Sequence, residues 1–294
     1  MKTDAPRAGF AGLGAMGAPM ARNLARAELL TAVYNRTTAT AVALAAELGC
    51  AAAQAPADLA SACDIIVLCV SADADVLALV DALVPTLSAG TVVVDCSTVS
   101  AATAREAARR VTAAGGAFLD CPVSGGTEGA ANGTLSIMCG GDADALERAR
   151  PVLESMGKRI VHMGPSGAGQ ATKAVNQIAV AGVNQGVSEA LAFAEAEGLD
   201  LARVIDAVGG GAAQSWFLTN RGPNMARMAF PLGFRVCLHQ KDLDICRAMA
   251  AERGVQLPIV EMTSIHYRRL LDAGHGDEDI SSLFRLKKAM FERG

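Results

Sequence analysis

The chain has 294 residues, of which 51% are hydrophobic and 19% are charged. This composition excludes a disordered protein, and the length suffices for one large domain or two ordinary ones. The 26 basic and 30 acidic side chains give a net charge of -4, which is not the basic balance of a nucleic-acid-binding or membrane-binding protein. The eight cysteines form no Cys-x-x-Cys pair and the four histidines lack zinc-binding spacing. We therefore expect reduced thiols, no metal site and a cytoplasmic protein.

Short apolar runs alternate with alanine-rich helical stretches in the first part of the chain. The runs are Gly9–Leu13, Ala32–Asn35, Asp64–Val70, Thr91–Asp95, Ala117–Pro122, Leu135–Gly140 and Arg159–Met163. They are too short for helices and lack strict alternation, as in strands that are covered on both faces. Strand and helix in alternation predict right-handed βαβ units and an α/β fold with a doubly wound, mainly parallel sheet.

The pattern changes after residues 164–167. From Ala168 to Glu197 there is no proline, and apolar residues recur at helical spacing, which predicts one long helix. Further helices are predicted at Leu201–Val208, Lys241–Glu252, Ile259–Asp272 and Ile280–Phe291. We therefore predict two domains, residues 1–164 and an all-helical domain over residues 165–294. The long helix is apolar on more than one face, at Ile178, Val180, Val183 and Val187, which predicts a homodimer or homotetramer.

A glycine-rich turn follows the first predicted strand. The segment Gly12–Gly17 has the pattern Gly-x-Gly-x-x-Gly and leads into a helix. In a dinucleotide-binding turn, the first glycine permits the bend, the second lets the backbone approach a pyrophosphate, and the third allows close packing of helix and strand. We predict that the turn binds a pyrophosphate at the helix N-terminus, through Gly12, Leu13, Gly14, Met16 and Gly17. The alternative is the glycine turn of an ordinary α/β domain.

The end of the second predicted strand indicates which dinucleotide binds. An NAD enzyme usually carries Asp or Glu there, bonded to the ribose 2′-hydroxyl. This chain instead has Asn35, Arg36 and Thr37, with no carboxylate near them in the sequence. Because arginine pairs well with phosphate, we predict that these residues bind NADP, with NAD as the second choice. An exposed surface arginine is the alternative.

Two later segments suggest a substrate site. Ser124, Gly125 and Gly126 follow a predicted strand, and consecutive small residues expose backbone N–H groups that suit a carboxylate. Lys173 and Asn176 are three residues apart near the start of the long helix, so they share one helix face. Lys173 is either a surface lysine with a packed stem or a functional group in a cleft at the domain junction.

With these motifs in order, the chain resembles the β-hydroxyacid dehydrogenase family. That family includes 3-hydroxyisobutyrate dehydrogenase, tartronate semialdehyde reductase and the glyoxylate/succinic semialdehyde reductases. The resemblance covers the whole chain and rests on four segments: Gly12–Gly17, Asp120–Gly129, Gly167–Asn176 and Phe234–Leu243. It implies a Rossmann-type dinucleotide-binding domain over residues 1–164, and a helical substrate and oligomerisation domain over residues 165–294.

The resemblance also implies roles for single residues. It makes Lys173 the catalytic acid/base, and it places Ser124, Gly125, Gly126, Asn176 and Lys241 at a small carboxylate substrate. It adds Cys69, Val70, Thr98, Lys241 and Asp242 to the residues that contact the cofactor. Several relatives have Leu-Pro where this chain has Cys69-Val70, a departure that should leave backbone contacts intact. The implied reaction is hydride transfer between NAD(P) and a small 3-hydroxy acid or semialdehyde, with no metal.

Other functions stay open on the sequence. The preferred substrates are 2-hydroxy-3-oxopropionate (tartronate semialdehyde) and 3-hydroxyisobutyrate, and glyoxylate or succinic semialdehyde is the alternative. Imine reductases share the two-domain plan but generally carry Asp or Tyr in place of Lys173. 6-Phosphogluconate dehydrogenase has a helical domain much larger than residues 165–294 allow. A non-catalytic nucleotide-binding reader would have no reason to keep Lys173, Asn176 and Lys241 together.

Overall fold

The computed structural model describes residues 5–292, and the chain divides into two compact units. The first unit runs to Lys173 and the second begins at Ala174, so the division falls inside the long helix. The predicted domain boundary lay in the turn before that helix, at residues 164 and 165, and it stays a prediction. Within residues 5–292, no helix combines the length and the apolar character needed to cross a membrane.

The first unit is built on one sheet of nine strands, counted within the described residues. The strands are β1 (Ala8–Ala11), β2 (Leu30–Tyr34), β3 (Ala51–Ala52), β4 (Ile65–Leu68), β5 (Val92–Asp95), β6 (Ala117–Asp120), β7 (Val123–Ser124), β8 (Leu135–Gly140) and β9 (Gly157–Gly164). Their order is β3-β2-β1-β4-β5-β6-β8-β7, and β9 also pairs with β8. The strands from β3 to β6 in this order are parallel, whereas β8 runs antiparallel to β6 and β7.

Helices cover both faces of this sheet. They are α1 (Gly17–Arg26), α2 (Thr38–Leu48), α3 (Pro56–Ala62), α4 (Asp73–Leu83), α5 (Ala101–Ala113), α6 (Gly126–Asn132) and α7 (Ala143–Met156). In β4, Ile65 and Val67 join one core cluster, while Ile66 and Leu68 join another on the opposite face. Since both faces of the strand are buried, its sequence shows a continuous apolar run with no alternation. The predicted doubly wound, mainly parallel fold is confirmed.

The second unit is helical throughout its described part. Its helices are the remainder of α8 (Ala168–Ala196), α9 (Leu201–Gly209), α10 (Trp216–Met225), α11 (Val236–Ala251), α12 (Pro258–Asp272) and α13 (Leu283–Phe291), with a 3₁₀ turn at Ile280–Ser282. They enclose a core that includes Leu191, Leu243 and the fully buried Tyr267. The all-helical prediction is confirmed.

Two helices of this unit differ from the sequence prediction. Helix α10 was not predicted because it contains Gly222 and Pro223, which ordinarily break helices. Helix α11 begins at Val236 rather than at Lys241. Its first turns bury polar side chains, His239 among them, so the hydrophobic pattern that reveals a helix is absent there.

Four cysteines form a row across four neighbouring strands of the sheet. Cys69, Cys96 and Cys121 directly follow β4, β5 and β6, and Cys139 lies in β8 next to the Asp120–Gly140 pair. All four side chains pack in or against one core cluster, and all eight cysteines of the chain are free thiols. Burial raises the pKa of the Cys96 and Cys121 thiols well above the ordinary value.

Candidate active site

The glycine-rich turn between β1 and α1 has the geometry of a dinucleotide cradle. Gly12 has φ of +97°, and a side chain there would collide with the backbone of Cys69 at the end of β4. A side chain at Gly17 would collide with the carbonyl of Gly12, whereas one at Gly14 would meet no atom within 4 Å. The first and third glycines are therefore required by packing. The second leaves open space beside the N-terminus of α1, where a pyrophosphate fits.

The segment after β2 supports this turn and carries an ion pair. The side-chain Oδ1 of Asn35 accepts a hydrogen bond from the Leu13 N–H at 3.0 Å. Arg36 extends outward, with 89% of its side chain exposed, and its Nη1 lies 3.2 Å from Oδ1 of Asp75. Asp75 stands in the first turn of α4. The sequence showed no carboxylate near Arg36, but the fold provides one from a distant segment.

The ends of β4 and β5 are tied together at the same edge of the sheet. The Val70 N–H donates to Oγ of Ser97 at 2.9 Å, and the Ser97 N–H donates to Oδ1 of Asp95 at 3.0 Å. Asp95 is fully buried, and its Oδ2 has no hydrogen-bond partner among the described residues. Burial raises the pKa of Asp95 to about 6. These bonds fix the loop that carries Thr98, which is half-buried.

The first turn of α8 is anchored on β6 and on the loop after β5. Oδ1 of Asp120 accepts from the Gly167 N–H at 2.7 Å, and its Oδ2 accepts from the Gln170 N–H at 2.9 Å. Burial raises the pKa of Asp120, and these backbone N–H groups partly offset that effect. The Gln170 side chain donates to the Ser97 carbonyl at 2.8 Å and accepts from the Val99 N–H at 3.2 Å.

Lys173 follows this anchored turn. Only 8% of the residue is exposed, and its Nζ donates to the Val123 carbonyl at 2.9 Å. Val123 directly precedes Ser124, and the chain then bends through Gly125 at φ +133° and Gly126 at φ +63°. Both values are positive, a region that favours glycine. The buried amino group of Lys173 therefore lies beside a turn of small residues, at the carboxyl edge of the sheet.

The remaining predicted site residues form a hydrogen-bonded chain in the second unit. Nδ2 of Asn176 donates to Oε1 of Gln177 at 2.7 Å, and Nε2 of Gln177 donates to Oδ2 of Asp242 at 2.5 Å. The other carboxylate oxygen of Asp242 lies 3.0 Å from Nζ of Lys241. The carbonyl of Gln177 also lies 3.3 Å from Nε2 of the buried His239. Asn176, Lys241 and Asp242 are thus linked, and the link is the buried amide of Gln177.

The structure adds residues that sequence reasoning did not assign to the site: Asp75, Asp95, Asp120, Gln170 and Gln177. Asp95 ends a predicted strand and Asp120 lies within one, so their places were visible although their partners were not. No local sequence pattern marks Gln170, Gln177 or Asp75 as a site residue. Their partners lie far away in the sequence, or residues of their type are common on protein surfaces. Within residues 5–292, no group of three or more His, Cys, Asp or Glu side chains is placed to hold a metal ion.

Known families match both parts of the chain. Residues 7–164 match the NAD binding domain of 6-phosphogluconate dehydrogenase, and residues 167–287 match a family described as NAD-binding of NADP-dependent 3-hydroxyisobutyrate dehydrogenase. The 2-hydroxy-3-oxopropionate reductase of Escherichia coli is 41% identical over 85% of this chain and 86% of its own length. The NAD-dependent L-serine dehydrogenase of Pseudomonas aeruginosa is 37% identical over 94% of this chain and 96% of its own.

A solved structure agrees over nearly the whole chain. The 3-hydroxyisobutyrate dehydrogenase of Mycobacterium tuberculosis, determined with L-serine, has a TM-score of 0.89 and 32% identity. The match covers 96% of this chain and 99% of that one. Imine reductases of Myxococcus stipitatus match with a TM-score of 0.64 at 22% and 24% identity, which shows a common fold only.

Proposed function

Because the chain belongs to the β-hydroxyacid dehydrogenase family, we propose that it interconverts 2-hydroxy-3-oxopropionate and glycerate with NADP(H). It is an NAD(P)-dependent oxidoreductase that acts on hydroxyl groups. The observation that carries the proposal is the buried Nζ of Lys173, held 2.9 Å from the Val123 carbonyl beside the Ser124–Gly126 turn.

The substrate class is a 3-hydroxy acid with a three-carbon backbone. The named relatives act on 2-hydroxy-3-oxopropionate, 3-hydroxyisobutyrate and L-serine. The alcohol forms of all three share a carboxylate at C1 and a hydroxyl at C3, and they differ in the C2 substituent: hydroxyl, methyl or ammonium. A site for this class needs an anion cradle and a proton donor for the C3 oxygen, whatever the C2 group. The 41% identity to the 2-hydroxy-3-oxopropionate reductase favours the hydroxyl at C2.

Each end of the substrate has its own protein groups in this proposal. The backbone N–H groups of the Ser124–Gly126 turn hold the carboxylate, with Asn176 and Lys241 as further contacts. The cofactor is held by the glycine turn Gly12–Gly17 and by residues that follow the parallel strands β2, β4 and β5: Asn35, Arg36, Thr37, Cys69, Val70 and Thr98. When bound, NADPH supplies the hydride that reduces the C3 aldehyde.

Lys173 supplies the proton. In reduction, its ammonium group donates a proton to the C3 oxygen as that oxygen gains negative charge, and the product is an alcohol. In oxidation, the neutral amine accepts the proton of the hydroxyl. The Val123 carbonyl accepts one of the ammonium hydrogens, which fixes the direction of the side chain. Asp120 and Gln170 hold the turn of α8 that carries it.

A substrate panel tests the assignment. The reductive arm uses 2-hydroxy-3-oxopropionate, succinic semialdehyde and glyoxylate with NADPH or NADH. The oxidative arm uses glycerate, 3-hydroxyisobutyrate and L-serine with NADP⁺ or NAD⁺. We expect the highest kcat/KM with 2-hydroxy-3-oxopropionate and NADPH. A higher kcat/KM with L-serine would make L-serine the proposed substrate and would leave the proposed reaction class unchanged. No turnover of any of the six would overturn the proposal, and the nucleotide-binding reader would then be the better interpretation.

Replacing Lys173 tests the mechanism. Lys173→Ala should lower kcat by at least about 10²-fold, the lower end for the loss of a general acid, whereas cofactor affinity should change little. Lys173→Arg should also fail, because a guanidinium does not give up its proton in this pH range. Lys158→Ala is the matched control, since Lys158 is an exposed lysine of β9. If Lys173→Ala kept more than about a tenth of the wild-type kcat, another group would have to supply the proton.

A further inference from the structure

We propose that Asp75 is a second specificity-determining residue for the cofactor, one that opposes the preference of Arg36 for a 2′-phosphate. This inference rests on the proposed use of NADP(H). Arg36 and Asp75 form one ion pair whose two side chains favour different cofactors. The guanidinium can bind the 2′-phosphate of NADP, and the carboxylate can accept a hydrogen bond from the ribose hydroxyl of NAD. Asp75 thereby replaces, from another part of the chain, the acidic residue that NAD enzymes usually carry at the end of β2.

The first step is the position of the pair. In a fold of this type the 2′ position of the adenosine ribose is recognised at the end of β2, and Arg36 is the second residue after β2. The side-chain oxygen of Asn35 already accepts a hydrogen bond from the Leu13 N–H in the glycine turn. Arg36, exposed for 89% of its side chain, is thus the charged group available to a ligand there. Its ion-pair partner is Asp75, at 3.2 Å.

The second step is that Asp75 differs from its acidic neighbour. Asp73 also lies in the first turn of α4, but its carboxylate accepts from the Ser100 N–H at 3.0 Å and from the Thr103 hydroxyl at 2.6 Å. The Asp73 carboxylate is therefore hydrogen-bonded to the start of α5 and does not face Arg36. Asp75 is one-third exposed and faces Arg36 instead. Of these two acidic residues, only Asp75 is directed toward the ribose-recognition position.

The third step is the sign of the effect. A phosphate monoester carries roughly 1.5 to 2 negative charges near pH 7, so a carboxylate close to Arg36 repels it and also competes for the guanidinium. The same carboxylate can accept a hydrogen bond from the hydroxyl of NAD. An ion pair this exposed contributes little to folding stability. The ion pair therefore mainly affects the ratio of the affinities for NADP and NAD.

The test is nucleotide binding measured by calorimetry on the full-length protein, with no turnover needed. The ligands are NADP⁺, NAD⁺ and two fragments that lack nicotinamide, adenosine 2′,5′-bisphosphate and AMP. Asp75→Asn should tighten NADP⁺ and the bisphosphate by about three- to tenfold at low salt, without tightening NAD⁺ or AMP. Arg36→Ala should weaken NADP⁺ by about tenfold or more and leave NAD⁺ nearly unchanged.

Two controls make the result specific. Asp81→Asn removes the same charge from the same helix, but Asp81 pairs with Arg110 at 2.7 Å, so its nucleotide affinities should match the wild type. In an Arg36→Ala background, the gain from Asp75→Asn should shrink, because the two side chains act on one group.

The outcomes separate the two proposals. A wild-type protein that binds both dinucleotides, with an unchanged NADP⁺/NAD⁺ affinity ratio in Asp75→Asn, would overturn this inference and leave the proposed function standing. An equal change in Asp81→Asn would also overturn it, since the effect would then be one of net charge. A wild-type protein that binds neither dinucleotide would overturn both.

Discussion

Asp95 shows how one buried carboxylate couples stability to pH. It lies at the end of β5 without solvent exposure, and its pKa is raised from 3.8 to about 6 because burial disfavours the charged form. Because the pKa of this carboxyl group is higher in the folded chain than in the unfolded chain, the folded chain binds a proton more tightly there. Stability from this group is therefore present at low pH and is lost as the pH rises from about 4 to 6.

Asp95→Asn should remove that dependence. Relative to the wild type, the variant should gain on the order of 2–3 kcal/mol of unfolding free energy between pH 4 and pH 7.5. Urea denaturation of both proteins at several pH values measures the difference. The amide oxygen can still accept from the Ser97 N–H, as Oδ1 of Asp95 does, so the loop after β5 should keep its conformation. A difference that stayed flat across the range would contradict a folded-state pKa of about 6 for Asp95.

Helix α8 depends on Asp120 for its start. The carboxylate accepts two backbone N–H bonds there, and it is packed so closely that a side chain at Gly140 or Gly169 would meet it. Asp120→Ala would leave both N–H groups buried and unpaired. We expect a loss of about 2–3 kcal/mol in unfolding free energy, together with a lower kcat, because Lys173 stands in the next turn.

Asp142 provides the comparison for this element. It caps α7 through a single bond from the Ala145 N–H to Oδ1 at 2.9 Å, so Asp142→Ala should cost only about 1 kcal/mol and leave kcat unchanged. Chemical denaturation and steady-state kinetics on both variants measure these effects. Equal losses in the two proteins would show that Asp120 is an ordinary helix cap.

The sequence predicted elements better than it predicted their partners. Seven of the nine described strands were visible because each is a short apolar run, whereas the two-residue strands β3 and β7 were not predicted. Helix α8 was visible because nothing interrupts its helical pattern. The contact between Arg36 and Asp75, by contrast, joins residues 39 positions apart. It depends on β1 lying between β2 and β4 in the sheet, since that order brings α4 near the end of β2. Strand order is a property of the folded sheet, and no local pattern encodes it.

At the scale of the whole molecule, we expect the chain to self-associate because the second unit exposes an apolar surface. Of the four residues named from the sequence, only Val183 stays exposed, because Val187 lies in the core of the unit and the partly buried Ile178 and Val180 pack against that core. The exposed stripe of α8 runs instead through Val175, Ala179, Val183 and Gly186. Beside it, α12 exposes Ile259, Met262 and Ile265, and Ile259 lies close to Gly182 of α8. We call these exposed residues of α8 and α12 the apolar surface.

We propose that a second copy of the chain covers the apolar surface. The acidic Glu189 follows the stripe on α8 and keeps 58% of its side chain exposed although it pairs with Lys287. The basic Arg268 and Arg269 are exposed and continue the stripe of α12. A twofold arrangement can therefore bring opposite charges together around an apolar centre. Light scattering at micromolar concentration should give a mass above the 30.0 kDa of one chain, and Ile265→Glu should bring it down to that value.

Val42→Glu is the matched control, since Val42 is also an exposed apolar residue but belongs to α2 of the first unit. Its mass should equal that of the wild type. A wild-type mass of one chain would refute the association itself. A dimer or tetramer that survives Ile265→Glu would place its interface elsewhere.

Peroxides and other oxidants attack the thiolate rather than the thiol. In the cysteine row, Cys96, Cys121 and Cys139 are buried, and a raised pKa keeps Cys96 and Cys121 protonated. Cys63, outside the row, has a pKa raised to about 11 for the same reason. The thiols of Cys96 and Cys121, at the carboxyl edge of the sheet, are therefore protected from oxidation. Cys69, which follows β4 at the end of the row, is the one of these four that is only partly buried, so we expect oxidation there first.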